Sequence, residues 1–250
     1  MLEKLDAIDW PKLHHAYGAA GDVPDQLRAL ISPDPEHRDK ALYELFGNIF
    51  HQHTIFEATS YAVPFLWEIL GGPAPCDRRG VASLIGCIAE GGGYNSLRPT
   101  RDEAAWIADI RVAVRKGLGT AIALLDSPDD TLRTLCAYIL AHYPEDTAQS
   151  VPALRAALAR EDKIERRAAL GITLMLLGEQ APGAFASEKA APLPLERLRA
   201  LAQRAVDGFT DPLNLMEVIF ELALPKVSVE NIVYMLDDRE RWGGEDDLLL

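Results

Sequence analysis

The chain has 250 residues, with 25 Lys+Arg against 38 Asp+Glu and a net charge of −13. Hydrophobic residues make up 48% and charged residues 25%, near the averages of soluble globular proteins, which excludes global disorder and a collagen-like chain. The acidity argues against a general nucleic-acid binder, because affinity for phosphate backbones comes from clustered Lys and Arg.

No apolar run reaches the roughly 18 residues of a membrane span. Met1 opens onto Leu2-Glu3-Lys4-Leu5-Asp6, which has neither a basic n-region nor an apolar h-region, so a cytoplasmic protein with no membrane partner is expected. The three cysteines, Cys76, Cys87 and Cys136, include no Cys-x-x-Cys pair and imply neither a disulfide framework nor a zinc ribbon.

In chain order, residues 1–21 read as a short N-terminal helix and turn, a cap whose Trp10, Leu13 and Tyr17 cover the first hairpin of the chain. Val23-Pro24, Val63-Pro64 and Val151-Pro152 each precede an arginine by 14 residues from the proline, namely Arg38, Arg78 and Arg166; Gly119 stands in the same relation to Arg133. Proline suits the first helical position, where its missing N–H is an orphan anyway, so each Val-Pro is expected to open a helix. Asp34, Asp129 and Asp162 occupy the cap position of a second helix, with Ala74 replacing the acid in the second unit. Small or apolar residues at +3, +4 and +7 from each arginine form one face of a 3.6-residue period; Thr173 is the one polar exception.

Each unit is thus predicted to be a helical hairpin, with four between residues 22 and 178 and no convincing period-2 strand. The 55-residue interval from Arg78 to Arg133 implies an insertion at 91–117: a break at Gly91-Gly92-Gly93, a loop, then a Thr100/Glu103 capping box opening a helix to about Lys116. A Pro/Ala-rich stretch, 180–194, reads as a linker. A degenerate fifth pair comes next, over Leu195–Val206 and Leu213–Leu224, then a short helix at Asn231–Leu236 and an acidic tail. Such hairpins cannot bury their apolar faces alone and must stack, which predicts a single all-α domain over residues 1–250, an α-solenoid of about five hairpins.

The proline, the turn aspartate and the arginine opening the second helix resemble the HEAT-repeat signature. Ser32-Pro33-Asp34-Pro35-Glu36-His37-Arg38 and Ser127-Pro128-Asp129-Asp130-Thr131-Leu132-Arg133 carry the likeness best, as in bacterial HEAT and phycobilin-lyase-like HEAT proteins. The resemblance implies an α/α superhelix in which the turn Asp and helix Arg of stacked units pair as a ladder. It says little about activity.

Candidate chemistry is sparse. His51-Gln52-His53, with Glu57 and the earlier His14-His15, invites a metal reading. On a helix, however, positions i and i+2 point about 200° apart and share a metal only in an extended or loop segment. The plainer expectation is polar residues closing the helix that begins near Asp34. No Gly-x-Ser-x-Gly or catalytic Cys–His context occurs, so no catalytic residue, metal or cofactor is assigned.

The insertion is more informative. Residues 91–120 carry 5 basic and 3 acidic side chains, the one basic segment of the chain. The expected role is a non-enzymatic protein-interaction scaffold contacting another, acidic protein through the concave surface and this insertion. Tyr94, Arg98, Arg101, Trp106, Arg111, Arg115 and Trp67 are the expected anchors. An immunity protein neutralising a basic bacterial toxin is the alternative, followed by a HEAT-fold enzyme, lyase-like or nucleic-acid-processing.

Overall fold

The computed structural model describes residues 2–92, 100–185, 192–207, 213–223, 227–229 and 232–233. Among these the chain is mostly helical, and it divides into two units, Met1–Leu124 and Leu125–Leu250. The boundary falls inside the third expected hairpin.

The first unit opens with 3-10 turns at Leu5–Ala7 and Trp10–Lys12 rather than an α-helix. Trp10 is buried, its Nε1–H donating to the Leu5 carbonyl at 2.9 Å, and Leu13 is buried beside it. A small antiparallel hairpin, β1 (His14–His15) and β2 (Gly18–Ala19), comes next. Then come α1 (Val23–Ala29), α2 (Pro35–Asn48), a second hairpin of β3 (Phe50–His51) and β4 (Thr54–Ile55), α3 (Glu57–Gly71), α4 (Arg78–Glu90), α5 (Arg101–Lys116) and α6 (Leu118–Leu124). Helix α3 is the centre. It packs on α1, α4, α5 and α6 and buries nine residues, from Ala58 to Leu70.

The second unit holds α7 (Asp130–Ala141), α8 (Thr147–Arg160), α9 (Ile164–Leu176), α10 (Pro192–Val206) and α11 (Leu213–Ala223). In a one-dimensional array each repeat touches only its neighbours. Here α11 packs on α7 as well as on α9, with the Tyr138 and Phe220 rings 5.5 Å apart, so α7, α9 and α11 form a mutual three-helix core.

The recurring arginine has a common local job. Arg38 donates to the Ser32 carbonyl at 2.7 Å, Arg78 to Gly72 at 2.9 Å, Arg133 to Ser127 at 2.8 Å, and Arg167 to Glu161 at 2.9 Å. Each reaches back six residues to a carbonyl left over in the turn after the first helix, where intrahelical partners run out. The two Ser-Pro-Asp turns are built alike. The serine Oγ accepts the aspartate N–H at 3.2 Å in both, and Asp34 and Asp129 then cap α2 and α7.

Several expectations change. The fourth lock is made by Arg167, not Arg166. In that register the position seven residues on is Leu174, buried and apolar, and the exception at Thr173 disappears. Lys163 rather than Asp162 precedes α9, and the Glu161 carboxylate accepts its N–H. In the second unit of the pattern Asp77 caps α4, one turn later than Ala74 implies. Of the three Val-Pro prolines, Pro24 alone lies in a first helical turn; Pro64 and Pro152 sit inside α3 and α8. Helix α3 starts early because Thr59 Oγ1 accepts the Phe56 N–H at 3.0 Å and donates to the Ile49 carbonyl. The linker expected at 180–194 partly docks, since Pro182–Phe185 forms a 3-10 turn whose Ala184 and Phe185 pack against Gly171 of α9. Most of Asn231–Leu236 and the acidic tail lie outside the described residues.

Candidate functional site

The insertion helix α5 forms where expected. Thr100 Oγ1 accepts the Glu103 N–H at 3.2 Å, and the Glu103 carboxylate accepts the Thr100 N–H at 2.7 Å. It is not an appendage: Ile110, Ala113 and Val114 are buried and the helix packs along α3 and α4. Arg101, Arg111 and Arg115 lie on its exposed side with Val112, while Trp106 is half-buried. Asp102 and Asp109 interleave with these arginines, and Arg111 and Arg115 already have intramolecular partners, so the strip is less basic than the segment total suggests. Tyr94 and Arg98 lie outside the described residues. Trp67 is corrected to a core residue: it is 6% exposed, and a Cβ on Gly117 would sit 2.3 Å from its ring.

A second surface emerges from the residues that the metal reading grouped. His51 and His53 do not close a helix; Gln52 and His53 form the two-residue turn of the β3–β4 hairpin, at φ 48° and 63°. Two successive left-handed positions make a type I′ turn, which favours Asn-Gly. Held without glycine, it stores backbone strain of the kind that clusters at functional sites. Tethering to the end of α4 holds it: Gly92 N–H donates to the His53 carbonyl at 3.0 Å, and Ile55 N–H to the Gly92 carbonyl at 2.9 Å.

The β1–β2 hairpin is anchored from below by a polar network. His15, 5% exposed at its side chain, accepts the Tyr17 N–H on Nδ1 at 3.0 Å and places Nε2 at 2.9 Å from Asp22. With Nδ1 accepting, the remaining proton sits on Nε2 and points at the carboxylate. Asp22 also accepts from Gln26 and from Asn48, each at 2.9 Å, and the Asn48 carbonyl accepts the Ala16 N–H. His14 pairs with Glu57 at 3.3 Å. Among the described residues no three His, Cys, Asp or Glu side chains converge to hold a metal.

This framework presents aromatic rings outward. Tyr17 is 70% exposed, with its ring edge-on to His51 at 5.5 Å and resting over Gly47 of α2; Tyr43, one turn earlier on α2, is 82% exposed. Half-buried Phe46 and Phe50 and exposed His53 pair edge-to-face at 6.4 and 5.9 Å. The signal in the sequence is an aromatic at +5 from Arg38, on the polar side of a helix whose buried face follows +3 and +7. The thiols offer little reactivity. Burial pushes Cys136 up to about 12; burial, then Glu90, does the same to Cys87; and burial raises Cys76.

Compared with protein-family models, curated proteins and solved structures, the chain matches none. No helix among the described residues is long and apolar enough to cross a membrane.

Proposed function

We propose that this chain is a non-enzymatic protein-binding scaffold built from HEAT-like hairpins. The single observation that carries the reading is the pair of tyrosines, Tyr17 at 70% and Tyr43 at 82% exposure, held on a hydrogen-bonded framework. Tyrosines of this kind supply contact area at low entropic cost and are enriched at interface hot spots. The four-fold recurrence of the arginine–carbonyl lock supports the repeat reading. The exposed side of α5, with Arg101, Arg111, Arg115 and half-buried Trp106, serves as a second contact strip.

Affinity capture from the native host, with the Tyr17→Ala/Tyr43→Ala double variant run alongside, tests this. Loss of one captured protein at unchanged melting temperature is the expected result. Capture of the same set by the variant contradicts the role of these tyrosines. Charge reversal at Arg111 and Arg115 tests the second strip in the same assay. A narrower reading, neutralisation of a basic toxin domain, is favoured by the net charge of −13.

A further inference from the structure

Helix α2 carries Glu36, Asp39, Tyr43 and Gly47 at spacings of three and four, so they lie along one face, and the Tyr17 ring covers its end at Gly47. Glu36 and Asp39 are exposed and form no ion pair among the described residues. The basic side chains of α2 have partners of their own. Arg38 donates to the Ser32 and Pro33 carbonyls, Lys40 lies 3.7 Å from Glu44, and His37 lies 3.5 Å from Asp34. The face therefore presents two exposed carboxylates, outside any ion pair among the described residues, leading into two exposed tyrosine rings.

We infer that this face docks an arginine- or lysine-bearing segment of a protein partner, with cationic heads over the Tyr43 and Tyr17 rings and salt links to Asp39 and Glu36. It rests on the protein-binding reading above and specifies the partner's chemistry. A cation over a tyrosine face is attracted by the ring quadrupole, and an unpaired carboxylate one turn away adds a directional charge-assisted hydrogen bond. An acidic or phosphate-bearing ligand meets the same carboxylates as repulsion, which sets nucleic acid aside for this face. Arginine suits it better than lysine, because a planar guanidinium stacks on a ring while still reaching a carboxylate.

The probe is an acetylated, amidated peptide of four Arg-Gly repeats, titrated into the full chain at low and at physiological salt, with the matching Glu-Gly peptide as control. Binding of the arginine peptide alone is expected. Tyr43→Leu and Tyr17→Leu, which keep the charge and remove the rings, should each weaken it about two- to fivefold. Glu36→Gln/Asp39→Asn, which keeps the rings, should weaken it further. Asp162→Asn/Glu196→Gln, an equal charge change in the second unit, should leave it within twofold. Equal loss in that control, or unchanged affinity in the leucine variants, overturns the inference in favour of diffuse attraction to an acidic protein. Absence of any arginine-peptide binding also overturns it, while loss of a captured protein in Tyr17→Ala/Tyr43→Ala would still stand for the scaffold reading.

Discussion

The two units start from one hairpin pattern and hold it together by different means. In the second unit, charges connect successive hairpins. Asp130 at the start of α7 accepts from Lys163 at 2.7 Å and from Arg166 of α9 at 3.1 Å, while Arg133, besides its carbonyl lock, pairs with the buried Glu161. In the first unit Arg38 and Arg78 turn to carbonyls of their own hairpins, and neighbouring elements are joined instead by the His15–Asp22–Gln26–Asn48 network and by close packing under α5. An aspartate–arginine contact between successive hairpins is thus made in the second unit by Asp130 and Arg166. The local lock is common to both units; the device that stacks the hairpins is not.

The sharpest way to break this contrast is to remove one partner of a largely buried pair. Arg133→Met strips Glu161 of its cation and should cost the second unit about 3 kcal/mol, because a buried charge left unpaired is expensive. Unit-resolved hydrogen exchange should show the loss in residues 125–185 and none in 2–92. The first unit is probed by Gly117→Ala, whose new Cβ would lie 2.3 Å from the Trp67 ring; the rigid indole cannot yield cheaply, and a loss of about 2 kcal/mol is expected. Thermal unfolding followed by Trp fluorescence measures it.

Acid separates the units further. Burial works against the charged form of Asp130, yet hydrogen bonds from Lys163 and Arg166, with their charges, hold its carboxyl down to about 2 from an ordinary 3.8. A depressed carboxyl contributes stability above its unfolded value and loses it as pH falls through the folded one. The Asp130 contribution should therefore be complete above about pH 4 and fade towards pH 2; Asp130→Asn should abolish that part of the acid response when urea midpoints are compared across the window. The smallest effect expected is a gain: Thr173→Val replaces a buried hydroxyl lacking a hydrogen-bond partner among the described residues with an isosteric methyl, and should stabilise the second unit by about 1 kcal/mol. A loss of similar size would mean that Oγ1 is satisfied in solution.

How much is legible in the sequence divides along the same line, between local and long-range causes. The hairpins can be read because their turn chemistry is local: Ser-Pro-Asp, a helix cap and an arginine six residues past a carbonyl all lie within one short segment. The register of the fourth unit slips because Arg166 and Arg167 are adjacent, and only the carbonyl at Glu161 tells them apart. The β-hairpins are invisible because two-residue strands have no period, and Gln52-His53 lacks the glycine that announces a type I′ turn. Closure of α11 onto α7 is a contact between distant segments that no periodicity encodes. At the candidate site, the capping box and buried face of α5 are readable, but the burial of Trp67 depends on Gly117 fifty residues away. Tyr43 lies off the apolar stripe of Ala41 and Leu45, and a lone aromatic on the polar side of a helix belongs to no periodicity.

The proposed partner contact lies on the α2–hairpin face of the first unit and not on the charge-laced second unit. A photo-crosslinking residue placed at Tyr43, compared with one at the exposed Asp162, tests it most directly in the native host. One crosslinked protein from position 43, suppressed by Tyr17→Ala, and none from position 162 is the expected result. Crosslinks from 162 with none from 43 would contradict it.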